Sequence, residues 1–191
     1  ITYGAPGTGK SHGIKKETAG KSVIRTTFHP DSDYSTFVGA YKPVMEEADV
    51  RVVPVVLNNG ASFDQNNGTL KEKRISYKFV KQAFLKAYLG AWKKYAEAGE
   101  SAEPQFLFIE EINRGNCAQV FGDIFQLLDR SEDGWSTYPI KADTDIAEHL
   151  EELQISGYTA TMNQRFGLDK EGCEKYPDRN WFGFMALPPN M

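Results

Sequence analysis

Cysteine is scarce in this chain: only Cys117 and Cys173 occur in 191 residues. They form no C-x-x-C pair, which excludes a zinc ribbon, a dithiol redox motif and a disulfide framework. Two scattered thiols suit a reducing compartment, so a cytoplasmic location is expected. Long apolar runs are also missing. Nothing approaches the roughly 20 residues of a membrane-spanning helix, and no secretory leader opens the chain. Neither charge dominates. Lys and Arg number 22 against 26 Asp and Glu, a net charge of −4, which excludes a whole-surface footprint for nucleic acid. There are no internal repeats and no low-complexity blocks. An initiator Met is absent as well. Ile1-Thr2-Tyr3 reads as the end of a buried strand, so the expected N-terminus lies upstream.

What is present describes a globular protein. Apolar residues make up 40% and charged residues 25%, enough for a real core, and the length suggests one domain or one and a small part. The stretch that organises it is Gly4-Ala5-Pro6-Gly7-Thr8-Gly9-Lys10-Ser11, which fits G-x-x-x-x-G-K-[ST] at every fixed position. Glycines without Cβ let phosphate oxygens reach the main chain, and successive N–H groups form an anion nest. The pattern predicts a helix from Lys10 to about Ala19, stopped by Gly20, whose N-terminus adds its dipole. Lys10 would reach the β- and γ-phosphates, and the Ser11 hydroxyl would ligate Mg²⁺.

Val23 to Phe28 is a β-branched run and predicts a second strand. His29 reads as a structural residue at its end, although a ligand or base is the alternative. Asp31 to Asp33 predicts a capped turn into a short helix carrying Tyr34 and Phe37. Val50 to Leu57 contains Pro54, which suits an edge strand or hairpin arm. Asn58 to Glu72, rich in Asn and Gly, reads as a loop. Lysines and Arg74 then gather between Lys71 and Lys94 with aromatics interleaved. One reading is a nucleic-acid surface. The other is an amphipathic helix over about Val80 to Ala98, with Phe84, Tyr88 and Trp92 as a core stripe and the lysines in solvent.

Phe106-Leu107-Phe108-Ile109-Glu110-Glu111 looks like a strand buried on both faces that delivers two acids at its C-terminal edge, where ligands of open α/β sheets bind. This is a Walker B candidate. Glu110 would hold Mg²⁺ and Glu111 would polarise the attacking water. Ile112 to Asn116 should turn the chain into a helix with Val120, Phe121, Ile124, Phe125, Leu127 and Leu128 on its apolar face. Trp135 to Ile140 reads as a hairpin arm, Asp143 to Leu153 as an acidic, solvated helical segment, and Leu187 to Asn190 as a stiff connector.

Three stretches narrow the family. Thr27-Phe28-His29-Pro30 with Tyr34 to Phe37 and Tyr41-Lys42-Pro43 resembles the segment after the second strand of McrB-type AAA+ proteins, in the dynein-related branch. Ile109 to Asn116, then Val120-Phe121-Gly122-Asp123, resembles their Walker B region. Leu187-Pro188-Pro189-Asn190 is similar to the connector before their sensor-1 strand. The resemblance implies an α/β P-loop NTPase (AAA+) core of three layers with a parallel sheet. It would be a partial nucleotide-binding domain over 1–191, with hairpin and loop insertions at about 44–75 and 134–180, of which 58–72 and 142–180 match least. In that family sensor 1, the arginine finger and the lid follow the connector, so the core is expected to be incomplete at the C-terminus. Hydrolysis by this stretch alone is then expected to be weak or absent. Thr161-Met162-Asn163 looks like a sensor-1 sequence but precedes the connector, and reads as a decoy.

The resemblance also implies function. Gly4, Ala5, Pro6, Gly7, Thr8, Gly9, Lys10 and Ser11 would bind the triphosphate of ATP or GTP. Ser11 and Glu110 would hold Mg²⁺, and Glu111 would be the catalytic carboxylate. Glu110 stands where the family usually has Asp. Asn113 and Arg114 match the family motif and take no assigned role. McrB hydrolyses GTP in a ring and works with an endonuclease subunit, McrC, against modified DNA. A homo-oligomeric ring, an McrC-like partner and indirect engagement of DNA follow by resemblance, with no membrane. Two other functions stay open: a dynein- or MoxR-like ATPase that remodels protein, and a module that holds nucleotide or DNA without turnover.

Overall fold

The computed structural model describes residues 10–51, 55–56, 62–63, 69–152, 161–162, 165 and 184–191. Ile1–Tyr3, expected as a strand, Gly4–Gly9, expected as a loop, Pro54, Asn163 and Cys173 lie outside them. In chain order the elements are α1 (Lys10–Glu17), β1 (Ser22–Thr27), α2 (Tyr34–Phe37), β2 (Gly39–Arg51), β3 (Val55–Val56), β4 (Ser62–Phe63), β5 (Thr69–Lys81), α3 (Ala83–Ala98), β6 (Gln105–Glu110), α4 (Cys117–Phe121), a 3-10 segment (Gly122–Leu128), β7 (Ile140–Lys141), α5 (Thr144–Glu152) and β8 (Phe184–Met185). They form a mixed α/β structure of two compact units. One comprises Ile1–Gly39 with Lys81–Met191, the other Ala40–Val80.

In the larger unit β1 and β6 pair in parallel, from Ser22 opposite Gln105 to Thr27 opposite Glu110. Parallel neighbours require a crossover, and the helix of that crossover, α3, packs on both strands. The buried Gln105 ties the strand starts together. Ser22 Oγ donates to Gln105 Oε1 (2.8 Å), and Gln105 Nε2 donates to the Ser22 carbonyl (3.3 Å). Helix α3 behaves as its spacing predicts. Phe84, Tyr88 and Trp92 are buried, while Lys86 and Lys93 face solvent. The stripe runs into an aromatic chain: Phe84 on Phe37 (5.6 Å between ring centres), Phe37 on Phe28 (5.3 Å) and on Phe121 (5.0 Å). At the other end Trp92 meets Trp135 at 5.7 Å. Edge-to-face rings at such spacings add about 0.5–1.5 kcal/mol per pair beyond their burial.

Three expectations about the larger unit need correction. The helix after the acidic pair is broken. Gly122 has φ 49, α4 ends there, and a 3-10 segment follows. Val120, Phe121, Ile124 and Leu127 are buried as expected, but Phe125 and Leu128 are exposed, because the tighter winding rotates them off the core face. Within the expected hairpin arm, Ile140 begins β7, which pairs antiparallel with β8, while Trp135 and Ser136 lie outside a strand and Ser136 bridges Arg130. The acidic segment is α5, and it is not wholly solvated: Ile146 and Leu150, four residues apart, are buried.

The Leu187–Asn190 connector, buried at Leu187 and Pro188 and exposed at Pro189, is held from several sides. Leu187 N donates to Ser136 Oγ (2.8 Å), and Asn190 Nδ2 to the Ala91 carbonyl (3.0 Å). The half-buried Arg130 guanidinium donates to the carbonyls of Gly134, Leu187, Pro188 and Met191 at 2.7–3.3 Å, and burial lowers its pKa.

In the smaller unit β2 pairs with β5, and β3 with β4 antiparallel. Tyr41 packs on Phe79 (5.6 Å); Glu46 accepts from Ser76 Oγ (2.6 Å) and pairs with Lys78. Thr69 to Glu72, expected in a loop, are strand, since cross-strand pairing to β2 overrides their weak local preference. The insertion expected at about 44–75 falls within this unit. The basic stretch is divided: Lys71, Lys73, Arg74 and Lys78 lie on β5, and Lys86, Lys93 and Lys94 on α3. Among the described residues no helix is long and apolar enough to cross a membrane.

Candidate active site

Parallel pairing sets the geometry. Because β1 and β6 run in register, both end at one edge, with Thr27 opposite Glu110. Phe28 N donates to the Glu110 carbonyl (2.9 Å), so the pairing continues one step past the strands. The loops that follow β1 and β6 therefore start side by side, at the edge where α/β sheets bind ligands.

Glu110 is half-exposed there. Thr27 Oγ1 donates to its Oε2 (3.5 Å), and the Arg25 guanidinium lies 3.8 Å from its Oε1. Arg25 itself lies over the Phe108 ring, 4.9 Å from its centre. Glu111, the next residue, is exposed and left-handed (φ 55, ψ 41), the single non-glycine residue with positive φ among those described. The bend takes the chain out of the sheet into a 3-10 turn, Ile112–Arg114, in which Arg114 N donates to the Glu111 carbonyl (2.9 Å). Asn113 and Arg114 are exposed. Gly115 then presses against Phe28. A Cβ there would stand 3.1 Å from the ring and 3.2 Å from the Phe28 Cβ, so any larger residue would push Phe28 back by a few tenths of an ångström.

The β1 side is built by a capped turn, as expected. Asp33 caps α2: its Oδ1 accepts from Thr36 N (2.9 Å), and Asp33 N donates back to Thr36 Oγ1 (2.9 Å). His29 is exposed, and its backbone closes a turn with Ser32; its N–H donates to Ser32 Oγ (2.8 Å). A cleft of about 370 Å³ lies here, lined among others by Thr27, His29, Asp31, Ser32 and Thr36. On α2 the Tyr34 hydroxyl hydrogen-bonds Asp143; burial first and Asp143 second raise its pKa.

Lys10 and Ser11 are the first two residues of α1, which ends at Glu17 and closes in a turn at Gly20 (φ 77). Among the described residues no group of three His, Cys, Asp or Glu side chains gathers around a metal position. Mg²⁺ does not need one, since it keeps several waters and takes one or two carboxylate oxygens beside phosphate. The hard oxygen donors of Glu110 and Thr27 fit that chemistry.

No protein-family profile matches the chain. Two curated proteins are similar to it. The Type II restriction enzyme BsuMI component YdiS of Bacillus subtilis is 39% identical over 158 residues, 78% of this chain and 43% of its own length. The Type IV methyl-directed restriction enzyme EcoKMcrB subunit of Escherichia coli is 27% identical over 99% of this chain and 35% of its own length. The chain is similar to both over most of its own length. It spans less than half the length of either relative.

The site residues to which sequence reasoning gave no role are Arg25, Thr27 and Gly115. Arg25 and Thr27 carry a faint signal, polar side chains two apart in a β-branched strand, but what they meet is decided by register to β6, 83 residues away. The Gly115–Phe28 contact has no local signal at all.

Proposed function

We propose that this McrB-type chain is the nucleotide-binding core of a restriction motor. It binds ATP or GTP with Mg²⁺ and hydrolyses the triphosphate, in a ring of identical subunits that works with an McrC-like endonuclease on DNA. The observation that carries this reading is the shared edge of β1 and β6, where Glu110 and Glu111 follow a strand of large apolar residues. The P-loop sequence Gly4 to Ser11 supports it from the other end of the chain. In this P-loop NTPase (AAA+) reading the backbone amides of Gly4 to Gly9 hold phosphate oxygens and Lys10 neutralises the β- and γ-phosphates. Ser11 and Glu110 hold Mg²⁺, which would supply charge neutralisation of the phosphates. Glu111 orients the attacking water and takes its proton. The relatives' names, both of restriction enzymes, favour DNA restriction over protein remodelling.

The test is a thermal melt with Mg²⁺ and excess ATP or GTP, beside Lys10→Ala. A ligand at about a hundred times its dissociation constant adds roughly 2.7 kcal/mol. The expected result is a clear upward shift with at least one nucleotide and none in Lys10→Ala. A folded protein that shifts with neither nucleotide overturns the reading.

A further inference from the structure

We propose that Arg25 is the counter-ion of Glu110 before nucleotide binds, and that Glu110 exchanges it for Mg²⁺ on binding. Arg25 thereby sets how much Mg²⁺ the site requires. The proposal rests on the nucleotide reading above and goes beyond it, to a positioning residue on the neighbouring strand.

The sheet brings the groups together. Arg25 is opposite Phe108 and Thr27 opposite Glu110, so these four side chains occupy one face of the two-stranded pair. The Arg25 guanidinium rests over the Phe108 ring and reaches Glu110 Oε1 at 3.8 Å. Thr27 takes the other carboxylate oxygen. The carboxylate is thus oriented by a hydroxyl on one side and faced by a cation on the other. That cation cannot retire by losing a proton. Its side chain is 40% exposed and that of Glu110 37%, so water and ions reach the pair. A divalent ion at Oε1 meets a charge of its own sign already there. Either the guanidinium yields or the ion binds less well, and in both cases Arg25 raises the Mg²⁺ needed. A strand built of Val, Ile and Thr has no packing need for an arginine at its centre. Facing Glu110 gives it one.

The experiment titrates Mg²⁺ against binding of a fluorescent ATP or GTP analogue to the intact protein. It compares wild type with Arg25→Gln, Arg25→Met and Arg25→Lys, each checked for a cooperative melt. Gln keeps a polar side chain, and Met keeps an apolar stem over Phe108; both drop the charge. The coupling typical of an exposed ion pair corresponds to about a two- to fivefold fall in half-saturating Mg²⁺ for the two uncharged variants. Arg25→Lys keeps the charge and should stay close to wild type. In a Glu110→Gln background the Arg25→Gln shift should vanish. An unchanged or increased Mg²⁺ requirement in both uncharged variants overturns the proposal while leaving the nucleotide reading intact. A shift that persists in Glu110→Gln overturns it too, because Arg25 would then act elsewhere. A wild type that binds nucleotide without regard to Mg²⁺, or not at all, overturns the proposal together with the metal assignment it rests on.

Discussion

Glu111 carries two demands that pull apart. Its side chain is the proposed water-activating carboxylate, and its backbone sits at φ 55, where the Cβ of an L-residue crowds the following carbonyl oxygen. The left-handed region costs an ordinary residue roughly 1–2 kcal/mol, and strain of that kind is tolerated where function needs it. Glu111→Gly should therefore raise the unfolding free energy by about 1 kcal/mol, glycine's extra chain entropy offsetting part of the relief. Turnover, measured in the full-length protein for each Glu111 variant, should disappear. Glu111→Gln should abolish turnover with stability within about 0.5 kcal/mol of wild type. Urea unfolding beside a phosphate-release assay checks both, and a Gly variant no more stable than wild type sinks the strain argument. The carboxylate was legible because Phe-Leu-Phe-Ile before two acids has a physical reading. The left-handed bend was not, because nothing local distinguishes a glutamate at φ 55 from one that continues a strand.

The elements differ in how much of themselves they announce. α2 is announced by its cap, Asp33 with Thr36 three residues on. Hydrogen bonds from the Ser35 hydroxyl first, and then from Thr36 N–H, lower the Asp33 pKa. A carboxyl lowered on folding contributes stability that is fully present above its unfolded pKa and is lost as pH falls through the folded one. Asp33→Ala should cost about 1 kcal/mol at neutral pH. The gap to wild type should narrow as pH drops below about 4, the ordinary carboxylate range. Paired denaturation curves from pH 7 to pH 2.5 test the sign, and a gap that widens in acid refutes it. α3 was equally legible, since Phe84, Tyr88 and Trp92 keep a four-residue spacing over a helix that tolerates the single interior Gly90. The break at Gly122 was hidden by the same signal that revealed α3. Val120, Phe121, Ile124 and Leu127 keep a helical period straight through the glycine, so periodicity alone predicts one helix. Gly122, at φ 49 and ψ −135, marks the break. Gly122→Ala should destabilise by roughly 1–3 kcal/mol from backbone strain. The space around it argues for backbone rather than packing, because the closest atom to a new Cβ is Tyr34 at an ordinary 3.6 Å. A neutral Gly122→Ala in a thermal melt would show that the 3-10 winding does not depend on the glycine.

At the scale of the whole molecule, the chain leaves the larger unit after Gly39 and returns at Lys81. The two sides of that departure are bound to each other within the larger unit. Gln82 N donates to the Val38 carbonyl (2.9 Å), and Phe37 packs on Phe84 at 5.6 Å. A backbone hydrogen bond at the point of exit means that a few residues suffice to join the ends, and closing a short loop in place of a long one lowers the entropy cost of folding slightly. Among the described residues, the buried apolar ones from Phe28 to Leu187 all lie outside Ala40–Val80. Replacing Ala40–Val80 with a short Gly/Ser linker should therefore leave a cooperatively folding unit. Its midpoint should stay within about 4 °C of the parent, the shift that about 1 kcal/mol produces in a domain of about 150 residues. The same variant separates two kinds of role for the excised unit. If nucleotide binding resides in the P-loop and the Glu110 edge alone, the Mg²⁺-nucleotide shift in melting temperature survives the excision. If the shift is lost while the cooperative melt remains, Ala40–Val80 contributes to the nucleotide site itself. Loss of the melt would mean that the larger unit does not fold without it, against the closure of its aromatic core across the exit point.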